Sequence, residues 1–356
     1  MIALLGTHLA GMGVFLTVPV LAPAIAAELG IAASLAGVHT ALVYLGAMVS
    51  GPLAGAFIHR FGGIRVLQAG MLISAFGISL AALGHPAALF VSAIIAGLGH
   101  GPVTPAGSHL LAARTPAKRR GLIFSLKQCG VPAGAMLLAA AVPPIAVAAG
   151  WRQGVAAVVV FLAISALCLQ PLRTALDAER DPKASIRGLG QIWAAAASSL
   201  GLLRQFPLLR RMTIMSALYG VSQFCFSTFF VVFQVASLGA TLTEAGMRLA
   251  FAQAAGVAGR VLWGVVADRT GAAPVFTGLG IGAAVAGLAR AGHYSGRDAD
   301  GCHRHWLEWS IPCRNGAVGA GWAGGRHHRS RRLCLWPFHA GGTALFLPAG
   351  GFEWRL

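Results

Sequence analysis

Long apolar segments separated by short polar connections make up most of this chain. Nine of them are predicted as membrane-spanning helices, and they lie near residues 2–27, 36–58, 66–84, 87–113, 121–149, 153–172, 212–238, 245–267 and 273–292. A helix needs about 20 mostly apolar residues to cross the hydrocarbon core of a bilayer. The pattern therefore predicts an all-α integral membrane protein.

The charges of the connections predict how these helices are oriented. The connections after the even-numbered segments are basic, and they contain Arg60 and Arg65, the run from Arg114 to Arg120, the stretch 173–211, and Arg269. Basic connections remain on the cytoplasmic side of a membrane. We therefore expect a cytoplasmic N-terminus.

One connection is much longer than the others and predicts a domain boundary. Residues 173–211 contain seven basic residues and are expected to form a cytoplasmic linker, with an amphipathic helix near 186–206. This linker separates an expected six-helix bundle at 1–172 from a partial second bundle at 212–292.

Residues 293–356 differ from the rest of the chain and are expected to be an aberrant, disordered tail. They contain five of the eight Trp, six of the twelve His and three of the six Cys, and no apolar run of membrane-spanning length. One interpretation is a metal-binding tail, although these spacings match no regular zinc pattern, and no metal site is assigned. The other is a frameshift in the gene that truncates the second bundle.

The composition supports the membrane class and explains the high net charge. The chain is 56% hydrophobic and only 10% charged, yet its net charge is +17. Nucleic-acid-binding proteins concentrate such charge on a soluble face, often with aromatic platforms. Here the basic residues before the tail lie between apolar segments, which indicates a bilayer rather than a nucleic acid as the partner.

The sequence also excludes two classes of chemistry. It contains no phosphate-binding loop, so an ATP-driven pump is not expected. It contains no arrangement of a nucleophile with a base, so the protein is predicted to be neither an enzyme nor dependent on a cofactor.

A short motif occurs twice, and each copy follows a predicted helix. The first copy is Gly55-Ala-Phe-Ile-His59-Arg60-Phe-Gly62, and the second is Gly264-Val-Val-Ala-Asp268-Arg269-Thr-Gly271. A repeat at this distance indicates two related halves. Two membrane-embedded halves are typical of secondary transporters.

The motif resembles the loop motif Gly-x-x-x-Asp-Arg-x-Gly of the major facilitator superfamily, which lies after helices 2 and 8. The segments Gly97–Pro102, Lys127–Gly134 and Gly150–Arg152 extend the resemblance, which covers residues 1–292. It implies two six-helix bundles, of which the second is incomplete here, with about nine helices in total. It also implies that the motif latches one conformation of the transport cycle. Because His59 replaces the acid of the first copy, we expect that latch to be weaker.

Polar residues inside the predicted helices are candidates for binding the solute, because ionisable groups are costly in lipid. Lys127 shares a helix face with Gly130 and Gly134, which would suit an anionic substrate, or it extends to the cytoplasmic interface. The two histidines of the fourth segment lie near prolines, where a broken helix would expose backbone to a cavity. They could carry protons or simply be packing residues. The remaining candidates are His100, His109, Gln128, Tyr219 and Gln223.

Two arginines of the eighth segment have simpler expected roles. Arg260 is expected to reach the second loop motif near Asp268, and Arg248 is expected to pair with Glu244 one turn earlier. No carboxylate lies in the middle of a predicted helix, so the sequence shows no acidic proton carrier.

Together these features predict a monomeric secondary active transporter of the bacterial inner membrane. Its expected substrate is a small organic anion moved together with protons. A drug–proton antiporter is the alternative, because Gly130-Val-Pro-Ala-Gly134 loosely resembles an antiporter motif of helix 5. A non-functional truncated product is the other alternative.

Overall fold

The computed structural model describes residues 2–116, 123, 126–178, 180–184, 189–270 and 278, and the structural statements below concern these residues. Their α-helices, renumbered in chain order, are α1 Ile2–Leu29, α2 Ala36–Ser50, α3 Ala54–Phe61, α4 Gly63–Ala81, α5 Pro86–His100, α6 Val103–Arg114, α7 Gly130–Ala149, α8 Trp151–Leu167, α9 Arg173–Leu176, α10 Leu189–Gln205, α11 Pro207–Leu238 and α12 Leu242–Thr270. Among the described residues, those up to Val265 form one compact unit. The cavity described below lies within Met1–Val265.

Seven helical segments in the described part of the chain are long and apolar enough to cross a membrane. They are Ala3–Leu29, Ala33–Phe61, Gly63–Ala81, Pro86–Arg114, Leu126–Ala149, Trp151–Leu176 and Pro207–Leu238. These segments match the first seven predicted helices, and the eighth prediction falls within α12. The all-α membrane class and the first six-helix bundle are therefore confirmed. The ninth predicted helix and the tail lie outside the described residues, apart from Gly278.

Two of the spans are interrupted at Gly-Pro pairs. Gly51-Pro52 begins a short 3-10 turn between α2 and α3, and Gly101-Pro102 separates α5 from α6. Proline lacks a backbone N–H and clashes with the preceding helical turn, which favours a break, although α1 and α7 continue through their internal prolines. The break at Gly101 agrees with the prediction from the prolines of the fourth segment.

Small residues allow α1 and α7 to approach each other closely. A Cβ atom at Gly130 would lie 2.9 Å from the carbonyl oxygen of Leu5, and one at Gly134 would lie 2.8 Å from the Cα of Leu9. Larger side chains at these positions would push the helices apart. Gly130 and Gly134 therefore pack α7 against α1.

Candidate substrate cavity and loop motif

A cavity of about 420 Å³ lies inside this compact unit and is bordered by α1, α2, α5, α6, α11, α12 and the residues around the start of α7. Its volume falls within the range of about 300–1,000 Å³ that is typical of small-molecule sites. Its polar lining residues are His8, Thr40, Tyr44, His100, Thr104, Gln128, Ser216, Gln223, Ser227, Thr228 and Arg260.

The charge of the cavity comes from α12. Among the described residues that line it, Arg260 carries the one permanent charge, and none is Asp or Glu. The Nη1 of Arg260 donates to the backbone oxygen of Gln128 at 2.7 Å. That bond engages one of the five guanidinium N–H groups. Because its protein acceptor here is a neutral carbonyl, the arginine retains a full positive charge at the cavity wall.

Aromatic rings from four helices form a continuous cluster along the cavity, which we call the aromatic wall. The centroid of the Phe15 ring lies 4.7 Å from that of Tyr44. It also lies 4.7 Å from that of His100, and these two rings meet edge-on at 87°. The ring of Tyr44 lies 4.3 Å from that of Phe224. All four residues line the cavity. Gly11 makes room for His100, because a Cβ at Gly11 would lie 2.8 Å from the imidazole Cε1.

The structure places three of the six candidate substrate residues in the cavity lining, namely His100, Gln128 and Gln223. Lys127, His109 and Tyr219 are not among the lining residues. Gln128 follows Lys127 directly, and consecutive side chains on a helix point about 100° apart. One of the two can therefore border the cavity while the other packs elsewhere.

Lys127 is held between α6 and the start of α7. Its side chain is buried, with 3% of the residue exposed, and its Nζ donates to the Oγ of Ser108 at 2.8 Å. The alternative in which Lys127 extends to the cytoplasmic interface is therefore wrong for this conformation. Gly107 leaves space beside it, since a Cβ there would lie 3.7 Å from the Nζ.

His8 lies between the cavity and Lys127. A Cβ at Gly107 would also lie 3.4 Å from the Cε1 of His8. The Nδ1 of His8 is 3.1 Å from the backbone oxygen of Leu4. A carbonyl oxygen only accepts hydrogen bonds, so Nδ1 carries the proton and Nε2 is the acceptor nitrogen of the neutral ring. Among the described residues Nε2 has no hydrogen-bond partner.

Sequence reasoning missed several residues that the fold brings into the cavity, among them His8, Tyr44 and Arg260. The guanidinium of Arg260 binds the backbone of Gln128. The expected contact of Arg260 with the second loop motif stays a prediction, because the side chain of Asp268 lies outside the described residues. One signal in the sequence could have found Arg260 and His8: both are ionisable groups inside apolar segments.

The expected pair of Arg248 with Glu244 is also wrong. Arg248 donates to the Oε1 of Gln234 at 2.6 Å. Glu244 instead forms a capping box with Thr241, in which each side chain accepts a hydrogen bond from the other residue's backbone N–H. The capping box explains why α12 begins at Leu242.

The first loop motif occupies most of α3 and ends at Gly62, directly before α4, where an acid from the linker binds. The backbone N–H groups of Ile64 and Arg65 donate to the two carboxylate oxygens of Asp177 at 2.8 and 3.1 Å. Asp177 is 3% exposed. A carboxylate at a helix N-terminus satisfies free N–H groups and interacts favourably with the helix dipole. The acid missing at His59 is therefore supplied from a position more than a hundred residues later.

Further contacts tie the linker to the same region. The Nη1 of Arg60 donates to the backbone oxygen of Ala184 at 3.2 Å, and the N–H of Asp181 donates to the oxygen of His59 at 3.0 Å. Arg114, at the end of α6, donates to the backbone oxygens of Ala175 and Leu176. Arg60 and Arg114 therefore bind the backbone of the linker.

The two glycines of the first motif differ in their surroundings. Gly62 has φ +90°, and a Cβ there would lie 2.6 Å from the Oδ1 of Asp177, so only glycine fits. A Cβ at Gly55 would meet no described atom within 4 Å. In the second copy, Gly264 lies in α12, whereas the side chains of Asp268 and Arg269 and the whole of Gly271 lie outside the described residues.

Comparison with known proteins identifies the family. The Major Facilitator Superfamily profile matches residues 3–301. A Haemophilus influenzae protein whose name describes it as a metabolite transporter is 27% identical over 276 residues, which are 74% of this chain and 65% of that protein. The multidrug resistance protein MdtH of Klebsiella pneumoniae is 31% identical over 127 residues, which are 35% of this chain and 32% of that protein. The chain therefore spans less than two thirds of either relative.

Solved structures share the same fold. The xylose transporter XylE from E. coli, in a partially occluded inward-open conformation, superposes with a TM-score of 0.58 at 19% identity, covering 83% of this chain and 80% of that one. A D-xylose–proton symporter superposes with a TM-score of 0.56 at 21% identity, covering 81% and 73%. Given the family match and the membrane-spanning helices, this chain belongs to the major facilitator superfamily and is a multi-pass membrane protein.

Proposed function

We propose that this protein is a secondary transporter of a small organic anion. The observation that carries the proposal is Arg260, a cation in the wall of a cavity whose described lining contains no carboxylate. Charges interact far more strongly in a low-dielectric interior than in water, so an arginine with no acid among the described lining residues favours an anionic ligand. The planar guanidinium also matches a carboxylate with two parallel hydrogen bonds. Lys127, beside Ser108, stays a predicted substrate residue outside this lining.

Proton coupling is the second part of the proposal, and His8 is its proposed proton carrier. The acceptor nitrogen Nε2 of His8 is buried and has no partner among the described residues, and the ring lines the same cavity as Arg260. Imidazole groups commonly act as proton shuttles in proteins. A proton on His8 would balance the charge of a bound anion, so that the loaded cavity carries no extra negative charge through the membrane.

The loop motif is proposed to control the conformational cycle. The contacts of Asp177, Arg60 and Arg114 join the linker to α3, α4 and α6 on the side that basic connections assign to the cytoplasm. Breaking these contacts would release the linker that separates the two halves. The N-terminus and this linker are proposed to lie on the cytoplasmic side of a bacterial inner membrane, with the protein acting as a monomer.

Uptake by purified protein in proteoliposomes tests the substrate class. Radiolabelled benzoate, lactate and succinate are compared with the neutral solutes benzamide and D-xylose under an inward proton gradient, with protein-free liposomes as the background. We expect at least one carboxylate, and neither neutral solute, to accumulate above background. An uncoupler that collapses the gradient, or the substitution His8→Gln, should abolish accumulation while leaving carboxylate binding in place.

Arg260→Gln should weaken carboxylate binding about tenfold to a hundredfold, because a hydrogen bond to a charged group contributes about 1.5–3 kcal/mol. The matched control is Arg248→Gln on the same helix, whose arginine binds Gln234 and does not line the cavity. Equal carboxylate uptake by Arg260→Gln and wild type would overturn the proposal.

Drug–proton antiport is the runner-up, supported by the similarity to the multidrug resistance protein MdtH over part of the chain. Export of cationic compounds, unchanged by Arg260→Gln, would favour that function instead. A protein that folds in detergent but moves none of these solutes would favour a non-functional truncated product.

A further inference from the structure

Besides the charge of Arg260, the cavity has a second chemical feature, namely the apolar rings of the aromatic wall. An aliphatic anion would not need such a surface. We infer that the transported anion is an aromatic carboxylate, with its ring on the aromatic wall and its carboxylate on the Arg260 guanidinium. This inference rests on the proposed function and narrows its substrate class.

The aromatic wall is an organised surface rather than a set of separate rings. Phe15 is its centre, contacting Tyr44 on one side and His100 on the other, and Tyr44 continues the contact to Phe224. The rings come from α1, α2, α5 and α11, so four helices hold the surface in place. Flat ligands gain from offset or edge-on contact with such rings at centroid distances of about 4.5–7 Å. The wall can therefore hold a planar group by its faces and edges.

The spacing along α1 between Phe15 and the level of Gln128, which binds Arg260, suits a single ring that bears a carboxylate. His8 lies level with Gly130, because a Cβ at Gly130 would lie 3.0 Å from the Cβ of His8. Gln128, whose carbonyl binds Arg260, is less than one turn from Gly130. Phe15 is seven residues beyond His8 on α1, which places it about 10 Å further along the helix. A ring stacked about 5 Å from the wall and a carboxylate about 3 Å from the guanidinium together span a distance of this size.

The lining beside Phe15 favours a ring over a sugar, whereas hydroxyl-binding side chains such as Ser216 and Gln223 lie elsewhere in the cavity. The cavity positions around Phe15 on α1 are Gly11, Met12 and Leu16, which offer no hydrogen-bonding side chain. Near the wall, the hydroxyls of Thr40 and Thr228 are buried and hydrogen-bonded to each other at 3.2 Å. A neutral polyol would leave hydroxyl groups unsatisfied against this surface, and an unpaired buried hydroxyl is costly. An aromatic ring would not.

Equilibrium binding to the purified full-length protein tests the inference. Four probes of similar size are used: benzoate, cyclohexanecarboxylate, benzamide and D-xylose. The first two share the carboxylate and differ in the aromatic ring, whereas benzamide keeps the ring and lacks the charge. We expect benzoate to bind about tenfold more tightly than cyclohexanecarboxylate and at least tenfold more tightly than benzamide.

Phe224→Leu is the main variant, because Phe224 lies at the end of the aromatic wall and is 40% exposed, so that the substitution disturbs packing little. It should reduce the preference for benzoate over cyclohexanecarboxylate to within about twofold. The matched control is Phe226→Leu on the same helix, whose ring contacts Phe230 and does not line the cavity. Tyr44→Leu is a second wall variant, and near-wild-type thermal unfolding shows that each variant is folded.

The outcomes separate this inference from the proposed function. Equal binding of benzoate and cyclohexanecarboxylate to wild type, or an unchanged preference in both wall variants, would overturn the aromatic substrate class while leaving anion transport intact. Equal binding of benzoate and benzamide, or tighter binding of D-xylose than of either carboxylate, would overturn the proposed function as well.

Discussion

Removing the carboxylate of Asp177 tests how far the linker stabilises the first bundle. The side chain accepts two backbone hydrogen bonds at the N-terminus of α4, at 2.8 and 3.1 Å, and it is almost fully buried. Asp177→Ala would leave the N–H groups of Ile64 and Arg65 without this acceptor. The substitution therefore removes a helix cap and its favourable interaction with the helix dipole at the same time.

The magnitude follows from those two contributions. Loss of an N-cap costs about 0.5–2 kcal/mol, and the charge–dipole interaction contributes about 0.3–1 kcal/mol when exposed and more when buried. Burying the carboxylate has a desolvation cost, so the net value is smaller than the sum. We expect a loss of about 2 kcal/mol in the free energy of unfolding. For a chain of this length that corresponds to a Tm lower by about 2–4 °C.

Thermal unfolding of the detergent-purified protein, followed by tryptophan fluorescence, measures this shift. The control is Asp181→Ala, an exposed acid of the same linker whose carboxylate accepts only the nearby N–H of Lys183 in the described structure. That control should change the Tm by less than about 1 °C, as surface substitutions usually do. Asp177→Asn retains an acceptor oxygen and should be intermediate. If Asp177→Ala unfolds at the same temperature as Asp181→Ala, the cap contributes nothing and the reasoning is refuted.

Two further predictions concern glycines. Gly62→Ala should lower the free energy of unfolding by about 1–3 kcal/mol, because an L-residue is strained at φ +90° and its Cβ would meet Asp177. The control Gly55→Ala, in the same motif, should not lower it. Equal Tm values for the two variants would contradict this account. Gly134→Ala should separate α7 from α1 and lower the Tm by several degrees, whereas Gly201→Ala, where a Cβ has open space, should not. Urea or thermal unfolding of the two variants in detergent measures the difference. A Gly134→Ala variant as stable as wild type would disprove the close helix contact.

The hydropathy pattern predicted the first seven helices within a few residues because the bilayer imposes a local requirement. Each span must be apolar over its own length and must satisfy its own backbone hydrogen bonds. The break at Gly101-Pro102 was predictable for the same reason, since proline acts within one helical turn. Helix α10 likewise occupies most of the linker stretch expected to be amphipathic.

The cavity lining was less predictable, because it depends on how each helix is rotated about its axis. Lys127 and Gln128 are neighbours in sequence, yet Gln128 lines the cavity and Lys127 binds Ser108. The glycine-lined face that the sequence predicts for a substrate instead packs α7 against α1. A sequence pattern identifies a face, but it does not say which neighbour that face meets.

The sequence by itself determined the membrane class, the positions of the spans and the family, because hydropathy, connection charges and the repeated loop motif are local properties of the chain. Only the tertiary structure decided which groups act together. Asp177 caps α4 across 113 residues, and Arg260 binds Gln128 across 132 residues. Such partners meet only when the helices are packed, so the acid that completes the first loop motif and the cation of the cavity appear only in the folded protein.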